Sequence, residues 1–266
     1  MHWPEPFVDI HCHLLPGIDD GAKSWEESLA MAKMAVADGI DTIIVTPHQL
    51  GNFAHNDGGT VRQRADELQK QLHAHGLPLR IYPGADVRID EFMMAGLRSG
   101  EVLTLADRRK HVLLELPHEL YFPIEGVLTG LQQADMVGIL SHPERNQGLL
   151  QQPQIVASLV ERGCLMQVTA GSLMGTFGTA CQEMAEWMLE EELVHFLATD
   201  AHGSKSRRPL LKRAYQLVTQ LLDEETATDL CCRNPAAVVA GEPVVARPRR
   251  PRKRGISGWF NWRKAG

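Results

Sequence analysis

Histidine and carboxylate residues recur in this chain where short apolar runs end. The first such run is Phe7-Val-Asp-Ile-His11-Cys-His13, which delivers two histidines two positions apart. On a strand, residues i and i+2 point to the same side. The two imidazoles can therefore converge on one ion while Cys12 points away. Asp19 and Asp20 follow, just before Gly21. Imidazole and carboxylate together suit a divalent transition metal such as Mn, Fe or Zn. A His-x-His pair alone is equally well read as ordinary polar residues leaving a strand. Further along, however, His48, Asp86, Glu115, His142, Asp200 and His202 each stand at or just after the end of another apolar run. Packing does not account for a histidine or carboxylate at nearly every strand end.

Nine such donors exceed what one ion needs. With about four ligands per ion and a bridging carboxylate, they imply a cluster of two or three metals. A cluster of this kind lowers the pKa of water to give a hydroxide near neutral pH, and it holds the attacking and leaving oxygens of an in-line displacement at phosphorus. Arg145 comes three residues after His142 and Arg207 five after His202. Guanidinium suits forked binding of phosphate oxygens. Metals and arginines together point to phosphoester hydrolysis.

Positioning these groups requires seven strands. The apolar runs are Phe7–Ile10, Thr42–Thr46, Leu79–Tyr82, His111–Pro117, Met136–Leu140, Cys164–Val168 and Val194–Thr199. Helical stretches separate them. Ser24 with Glu27 forms a capping box, and the helix behind it ends near Gly39. Others are expected over 61–75, 91–98, 125–134, 152–162, 179–191, 209–222 and 224–232. The polar, glycine-rich segment 49–59 reads as a loop over the site and a candidate lid. Strand and helix in alternation argue for parallel βα units. A closed barrel and an open doubly wound sheet both fit. In a barrel the strand ends would share one face, where such folds build their active sites.

The 266 residues suit one large α/β domain. No run of about 18 apolar residues marks a membrane helix, and no signal-peptide pattern opens the sequence. Five cysteines without regular spacing fit a reducing cytoplasm. None is followed six positions later by arginine, so the Cys-x5-Arg loop of thiol-based phosphatases is absent. There is also no P-loop and no Gly-x-Gly-x-x-Gly motif. The net charge of −6 conceals an asymmetry: eight Lys/Arg and no acid lie from Arg247 onward, which leaves the preceding residues at −14.

The phrases Asp9-Ile-His-Cys-His13, Asp19-Asp-Gly-Ala-Lys-Ser24, Thr46-Pro-His48, Gly84-Ala-Asp86, Glu115, Ser141-His-Pro-Glu-Arg145 and Asp200-Ala-His202, with Arg207, Ala214-Tyr215 and Asn234-Pro235, resemble the PHP (polymerase and histidinol phosphatase) superfamily. The chain is most similar to its branch of manganese-dependent bacterial protein-tyrosine phosphatases from capsule and exopolysaccharide operons. The resemblance spans residues 7–240. It implies an α/β fold, a distorted (β/α)7 TIM-like barrel with three metals at the C-terminal face of the strands. It implies Mn as the ion, with Fe, Zn or Mg able to replace it in vitro. One ion would be held by His11, His13, Glu115 and Asp200, and a second by Glu115, His48 and His142 with Glu115 bridging. Asp20, Asp86 and His202 would complete the third. The family pattern usually has Glu where this chain has Asp86, one methylene shorter, so the third site is the least secure. Arg145 and Arg207 would bind phosphate. Protonation of the phenolate, whose ordinary pKa of about 10 demands little help, would fall to His202 or to a water on the metals. The implied substrate is the phosphotyrosine tail of a membrane-anchored tyrosine kinase. A small phosphomonoester such as histidinol phosphate is the alternative.

The resemblance ends at residue 240, and residues 241–266 form a tail. Arg247-Pro-Arg-Arg-Pro-Arg-Lys-Arg254 is followed by Trp259 and Trp262. Its prolines oppose helix formation, which predicts disorder. Basic residues with tryptophans also suit peripheral contact with an anionic membrane. That would place a cytoplasmic enzyme at the inner face of the cell membrane. Nucleic acid is a poorer match.

Overall fold

The computed structural model describes residues 5–244. Met1–Pro4 and the basic tail from Arg247 on lie outside the described residues. Nine parallel strand segments run in chain order: β1 (Phe7–Cys12), β2 (Ile40–Val45), β3 (His48–Gln49), β4 (Arg80–Pro83), β5 (Asp86–Arg88), β6 (His111–Glu115), β7 (Val137–Ser141), β8 (Leu165–Thr169) and β9 (Phe196–Ala198). They are the seven expected strands, two of them interrupted. Thr46-Pro47 separates β2 from β3, and Gly84-Ala85 separates β4 from β5. The prolines explain the breaks, because Pro47 and Pro83 have no N–H for the ladder. Beyond each break the chain continues into the next sheet, which is how order β1-β2-β4 joins order β3-β5-β6-β7-β8-β9.

The ring then closes. Cys12 bridges Ala201 in parallel register, the His13 N–H donates to Ala201 O at 2.9 Å, and the Asp200 N–H donates to His11 O at 2.8 Å. The fold is thus a (β/α)7 barrel rather than an open sheet. Val8, Ile10, Ile44, Leu113, Ile139, Phe196 and Ala198 fill its interior, and Leu105, Ala106 and Val238 join the same cluster. The other faces of the strands meet the helices in a separate, larger core.

The helices are α1 (Trp25–Asp38), α2 (Gly58–Ala74), α3 (Met93–Ser99), α4 (Glu125–Gln133), α5 (Gln147–Gln151), α6 (Gln154–Glu161), α7 (Ala170–Leu173), α8 (Thr179–Glu190), α9 (Lys212–Leu221), α10 (Glu224–Thr228) and α11 (Asn234–Ala240). Ser24 caps α1 as expected, its side chain accepting from the Glu27 N–H. The helix expected over 224–232 is instead α10 followed by a π-helical turn, Asp229–Arg233. Among the described residues no helix is long and apolar enough to cross a membrane.

The segment anticipated as a lid is stapled down. The buried Gln49 amide donates to Asn56 O (2.6 Å) and Glu101 O (3.0 Å) and accepts from Leu103 N–H (2.8 Å). The buried Asn56 amide donates to Ile18 O (2.9 Å) and His48 O (3.0 Å). Polar residues that suggest a mobile loop are here the groups that fasten it.

Phe196 is fully buried at the centre of the barrel. Phe196→Ala should lower unfolding stability by about 3–5 kcal/mol, measured as a shift of the urea midpoint at unchanged slope.

Candidate metal centre

At the C-terminal mouth the strand ends bring all nine expected donors together. His11 leaves β1 through a bulge. The register pairs Asp9 with Ile43 and Cys12 with Val45, so β1 advances three residues while β2 advances two. Ile10 therefore faces the interior cluster while Cys12 packs in the outer core. Simple alternation would have put them on one side. The extra residue turns His11 and His13 inward, a re-aiming that bulges often perform beside active sites. Asp9 holds the bulge: its buried carboxylate accepts from the N–H groups of His11 (3.2 Å) and Thr199 (3.0 Å) and from the Thr199 hydroxyl. Burial still pushes Asp9 up to about 6, against the Thr199 hydrogen bonds.

The donor atoms form one contiguous set. His11 Nε2 lies 3.2 Å from His13 Nε2, 3.3 Å from Asp200 Oδ1 and 3.5 Å from Asp86 Oδ2. His48 approaches Asp20 through Nε2 (3.4 Å), and Asp86 and Glu115 through Nδ1 (3.5 Å each). His202 Nε2 is 3.3 Å from Asp20 Oδ1. Four groups have the spacing to hold an ion: His13, Asp20, His48 and His202; His11, His142 and Asp200; His11, His13 and Asp86; and His48, Asp86 and Glu115.

These groupings differ from the partition implied by resemblance. Glu115 was expected to bridge. It lies at the partly exposed rim and groups only with His48 and Asp86. His142 groups with His11 and Asp200 rather than with Glu115. Asp20 and His202 meet His13 and His48 instead of Asp86. Asp86 occupies the centre, because its strand stands one place closer to β1 than that of Glu115 and its side chain is fully buried.

Asp86 also decides whether a metal fits. Neither of its oxygens has a hydrogen-bond partner among the described residues, and neither does the buried Nδ1 of His48. A buried carboxylate left without donors is costly. Cations shared between imidazole and carboxylate remove that cost, and the donor set suits Mn, Fe or Zn.

Outer hydrogen bonds aim the rings. His11 Nδ1 meets Gln167 Oε1 at 2.8 Å, His13 Nδ1 meets Asp19 Oδ2 at 2.7 Å and His202 Nδ1 meets Asp200 O at 3.0 Å. Each contact leaves Nε2 free for the centre, the arrangement by which metal-ligating histidines are usually oriented. Asp19 also accepts from the N–H groups of His48 (3.1 Å) and Gly21 (2.9 Å). A Cβ on Gly21 would lie 2.3 Å from His13 O, so only glycine fits there. The sequence reading had missed Asp9, Asp19 and Gln167 as supports. The acidic pair beside Gly21 was a usable signal for Asp19; Gln167 reads as an ordinary strand residue.

Arg145 ends a 3₁₀ turn (Pro143–Arg145) after β7, and both Arg145 and Arg207 reach Asp200 Oδ2. His142, Asp200 and Arg207 all hold left-handed backbone, at φ 34°, 49° and 46°, conformations that non-glycine residues keep only under constraint. With Asp20, His48, Glu115, His118, Asn146 and His202, the two arginines line a cavity of about 230 Å³.

Burial and neighbouring charges shift these groups in opposite directions. Burial opposes charge on His11, yet Asp200 and Asp86 lift it to about 9. Burial likewise opposes charge on His48, but Asp20, Asp86 and Glu115 raise it to about 10. Burial and then the charge of Asp86 push Glu115 up to about 7. Burial holds His142 down to about 3, with Arg145 adding to the effect.

A family model described as "Capsular polysaccharide synthesis, CpsB/CapC" matches residues 7–240. The chain belongs to the CpsB/CapC family. It is 34% identical over 256 residues to the tyrosine-protein phosphatase YwqE of Bacillus subtilis, covering 95% of this chain and all of that one. It is 25% identical to the tyrosine-protein phosphatase CpsB of Streptococcus pneumoniae, covering 89% and 100%. It also superposes, with a TM-score of 0.85 and 33% identity over 93% of this chain and all of the other, on a crystal structure from a study of YwqE and CpsB as metal-dependent tyrosine phosphatases. The phosphotriesterase homology protein of Escherichia coli, at TM-score 0.57 and 10% identity, shares the fold alone. The CpsB/CapC match covers the same span, residues 7–240, as the resemblance carried by the motifs.

The raised histidines set a pH dependence. Stability contributed by protonated His11 and His48 is full below their unfolded value of about 6.5. It is lost as pH rises through about 9 and 10. The melting temperature of chelator-treated protein should therefore fall between about pH 7 and 10, and Mn-loaded protein should show a smaller fall in the same scan.

Proposed function

We propose that the protein is a metal-dependent protein-tyrosine phosphatase. Its substrate is the phosphotyrosine tail of a membrane-anchored, autophosphorylating kinase that controls capsule or exopolysaccharide synthesis, and Mn is its working ion. One observation carries this reading: the buried carboxylate of Asp86, whose oxygens accept no hydrogen bond among the described residues, at the middle of nine imidazole and carboxylate donors, beside a cavity lined by two arginines. The tyrosine-protein phosphatases among the relatives support the substrate class over histidinol phosphate.

We assign His11, His13, Asp20, His48, Asp86, Glu115, His142, Asp200 and His202 as the metal-holding residues. When bound, such ions supply Lewis acidity toward phosphoryl oxygens and make water nucleophilic near neutral pH. The chain's own groups do the rest. Arg145 and Arg207 bind the non-bridging phosphoryl oxygens with forked, charged hydrogen bonds. Asp200, which holds both guanidiniums, sets where that phosphate sits. His202 commits Nδ1 to Asp200 O, so its Nε2, 3.3 Å from Asp20, serves as a donor to an ion, and the proton for the leaving phenolate falls to water in the cavity. The basic tail, Arg247–Lys264, is proposed to hold the enzyme against anionic lipid at the inner face of the membrane where its kinase is anchored.

Turnover of a phosphotyrosyl peptide should disappear with chelator and return best with Mn, and it should exceed turnover of histidinol phosphate. Activity surviving full metal removal would refute the mechanism. Arg145→Ala should lower kcat/KM by about 10- to 100-fold while metal content stays at the wild-type level. In a co-sedimentation assay, full-length protein should pellet with anionic vesicles and a variant lacking residues 247–266 should not; equal binding sinks the membrane assignment.

A further inference from the structure

Between α7 and α8 the chain makes a short turn that carries Phe177. Glycines of positive φ stand on both sides, Gly175 at 73° and Gly178 at 92°. Two backbone hydrogen bonds tie the turn to α7, Gly175 N–H to Ser172 O (3.0 Å) and Thr176 N–H to Gly171 O (3.0 Å), and Gly178 N–H to Gly175 O (3.2 Å) closes the turn on itself. A Cβ on Gly171 would come within 3.2 Å of Phe177 Cε2, so the ring rests against bare backbone. The outcome is a half-buried ring whose face meets Arg145, with Cζ 4.1 Å from the ring centroid and Arg207 Cζ at 5.8 Å.

Arg145 and the Phe177 turn are also joined from behind. The buried carboxylate of Glu144, next in sequence to Arg145, accepts from the Ser172 hydroxyl (2.7 Å) and the Thr169 N–H (3.0 Å). One dipeptide therefore fixes both sides of the contact: Glu144 anchors the segment leading to the ring, and Arg145 lies on it. The Nε atoms of Arg145 and Arg207 are buried and have no hydrogen-bond partner among the described residues. Each guanidinium is thus held at Asp200 on one side and at an aromatic face on another, with donors unspent.

We infer that Phe177 is a positioning residue for phosphate recognition: its ring face orients Arg145, and more weakly Arg207, so that their free donors converge on the bound phosphoryl group. The inference rests on the reading of these arginines as the phosphate-binding pair. The geometry explains why an aromatic residue is needed. An aliphatic side chain fills the same space, but only a π face attracts a cation flat against it. Without that face a guanidinium reaching a single carboxylate oxygen is free to turn about its long side chain.

The test uses Mn-loaded full-length protein, inorganic phosphate as the probe for calorimetry and a phosphotyrosyl peptide for turnover. Phe177→Leu should weaken phosphate binding about 3- to 30-fold and raise KM by a similar factor, with kcat changed less. Metal content and melting temperature should stay at wild-type levels. Phe177→Tyr, which keeps the ring, should bind phosphate within about twofold of wild type. In an Arg145→Ala background the Phe177→Leu penalty should shrink, as expected of a residue acting through that arginine. Wild-type phosphate affinity in Phe177→Leu, an equal loss in Phe177→Tyr, or a full penalty without Arg145 would each overturn the inference. If wild-type protein binds phosphate yet turns over no phosphotyrosyl peptide, the substrate reading falls, while the role of Phe177 is still decided by the phosphate measurements.

Discussion

The centre depends on the seam between the first and last strands. His11 and His13 lie nearly two hundred residues from Asp200 and His202, and only closure of the ring unites them. Backbone hydrogen bonds between His11 and Asp200 and between His13 and Ala201 make the join. Asp9 reinforces it from the outer side through Thr199, which immediately precedes Asp200. The same carboxylate supports the bulge that turns the first histidine inward. Strand pairing, ligand direction and ring closure therefore share one buried acid. Its charged form is disfavoured by burial and retained only through donated hydrogen bonds.

On this frame the centre concentrates like charge. Asp86 and Asp200 are fully buried within reach of the same imidazole, and Glu115 and Asp20 stand nearby. The carboxylates favour protons on His11 and His48, and Arg145 and Arg207 meet Asp200. Ion binding must release the histidine protons, so affinity and acidity are linked. The left-handed backbone at His142, Asp200 and Arg207 fits this picture: these residues are fixed by the ring around them.

Much of this was legible in the sequence, for a physical reason. A parallel barrel puts every strand's C-terminal end on one face, so a polar residue ending each apolar run reports a shared site without any knowledge of distances. All seven strands, and the gathering of nine histidine and carboxylate side chains at one mouth, could be read in that way. How those side chains group could not. That depends on strand order around a closed ring and on depth within it. Asp86 lies centrally because its strand stands between those of His48 and Glu115, and one-dimensional spacing does not encode this. The bulge was hidden because Val8, Ile10 and the two histidines look like a simple continuation of one strand. Gln49 and Asn56 have the composition of a loose loop; their function as staples lies in hydrogen bonds to residues as distant as Leu103. Phe177 and Gln167 carry no sequence signal of their own, and only their neighbours give them a role.

The fastened segment after β3 has a consequence for how a substrate is admitted. An entrance that does not fold over its guest gains no catalytic assembly from closure, and none of the guest's binding energy is spent on moving the enzyme. The ordering cost falls on the incoming chain instead. A phosphorylated side chain on a rigid surface would have to bring that whole surface to the mouth, whereas one on a slack, extended terminus can enter alone. On the proposed reading of its substrate, such a mouth suits a phosphotyrosine carried on a flexible end.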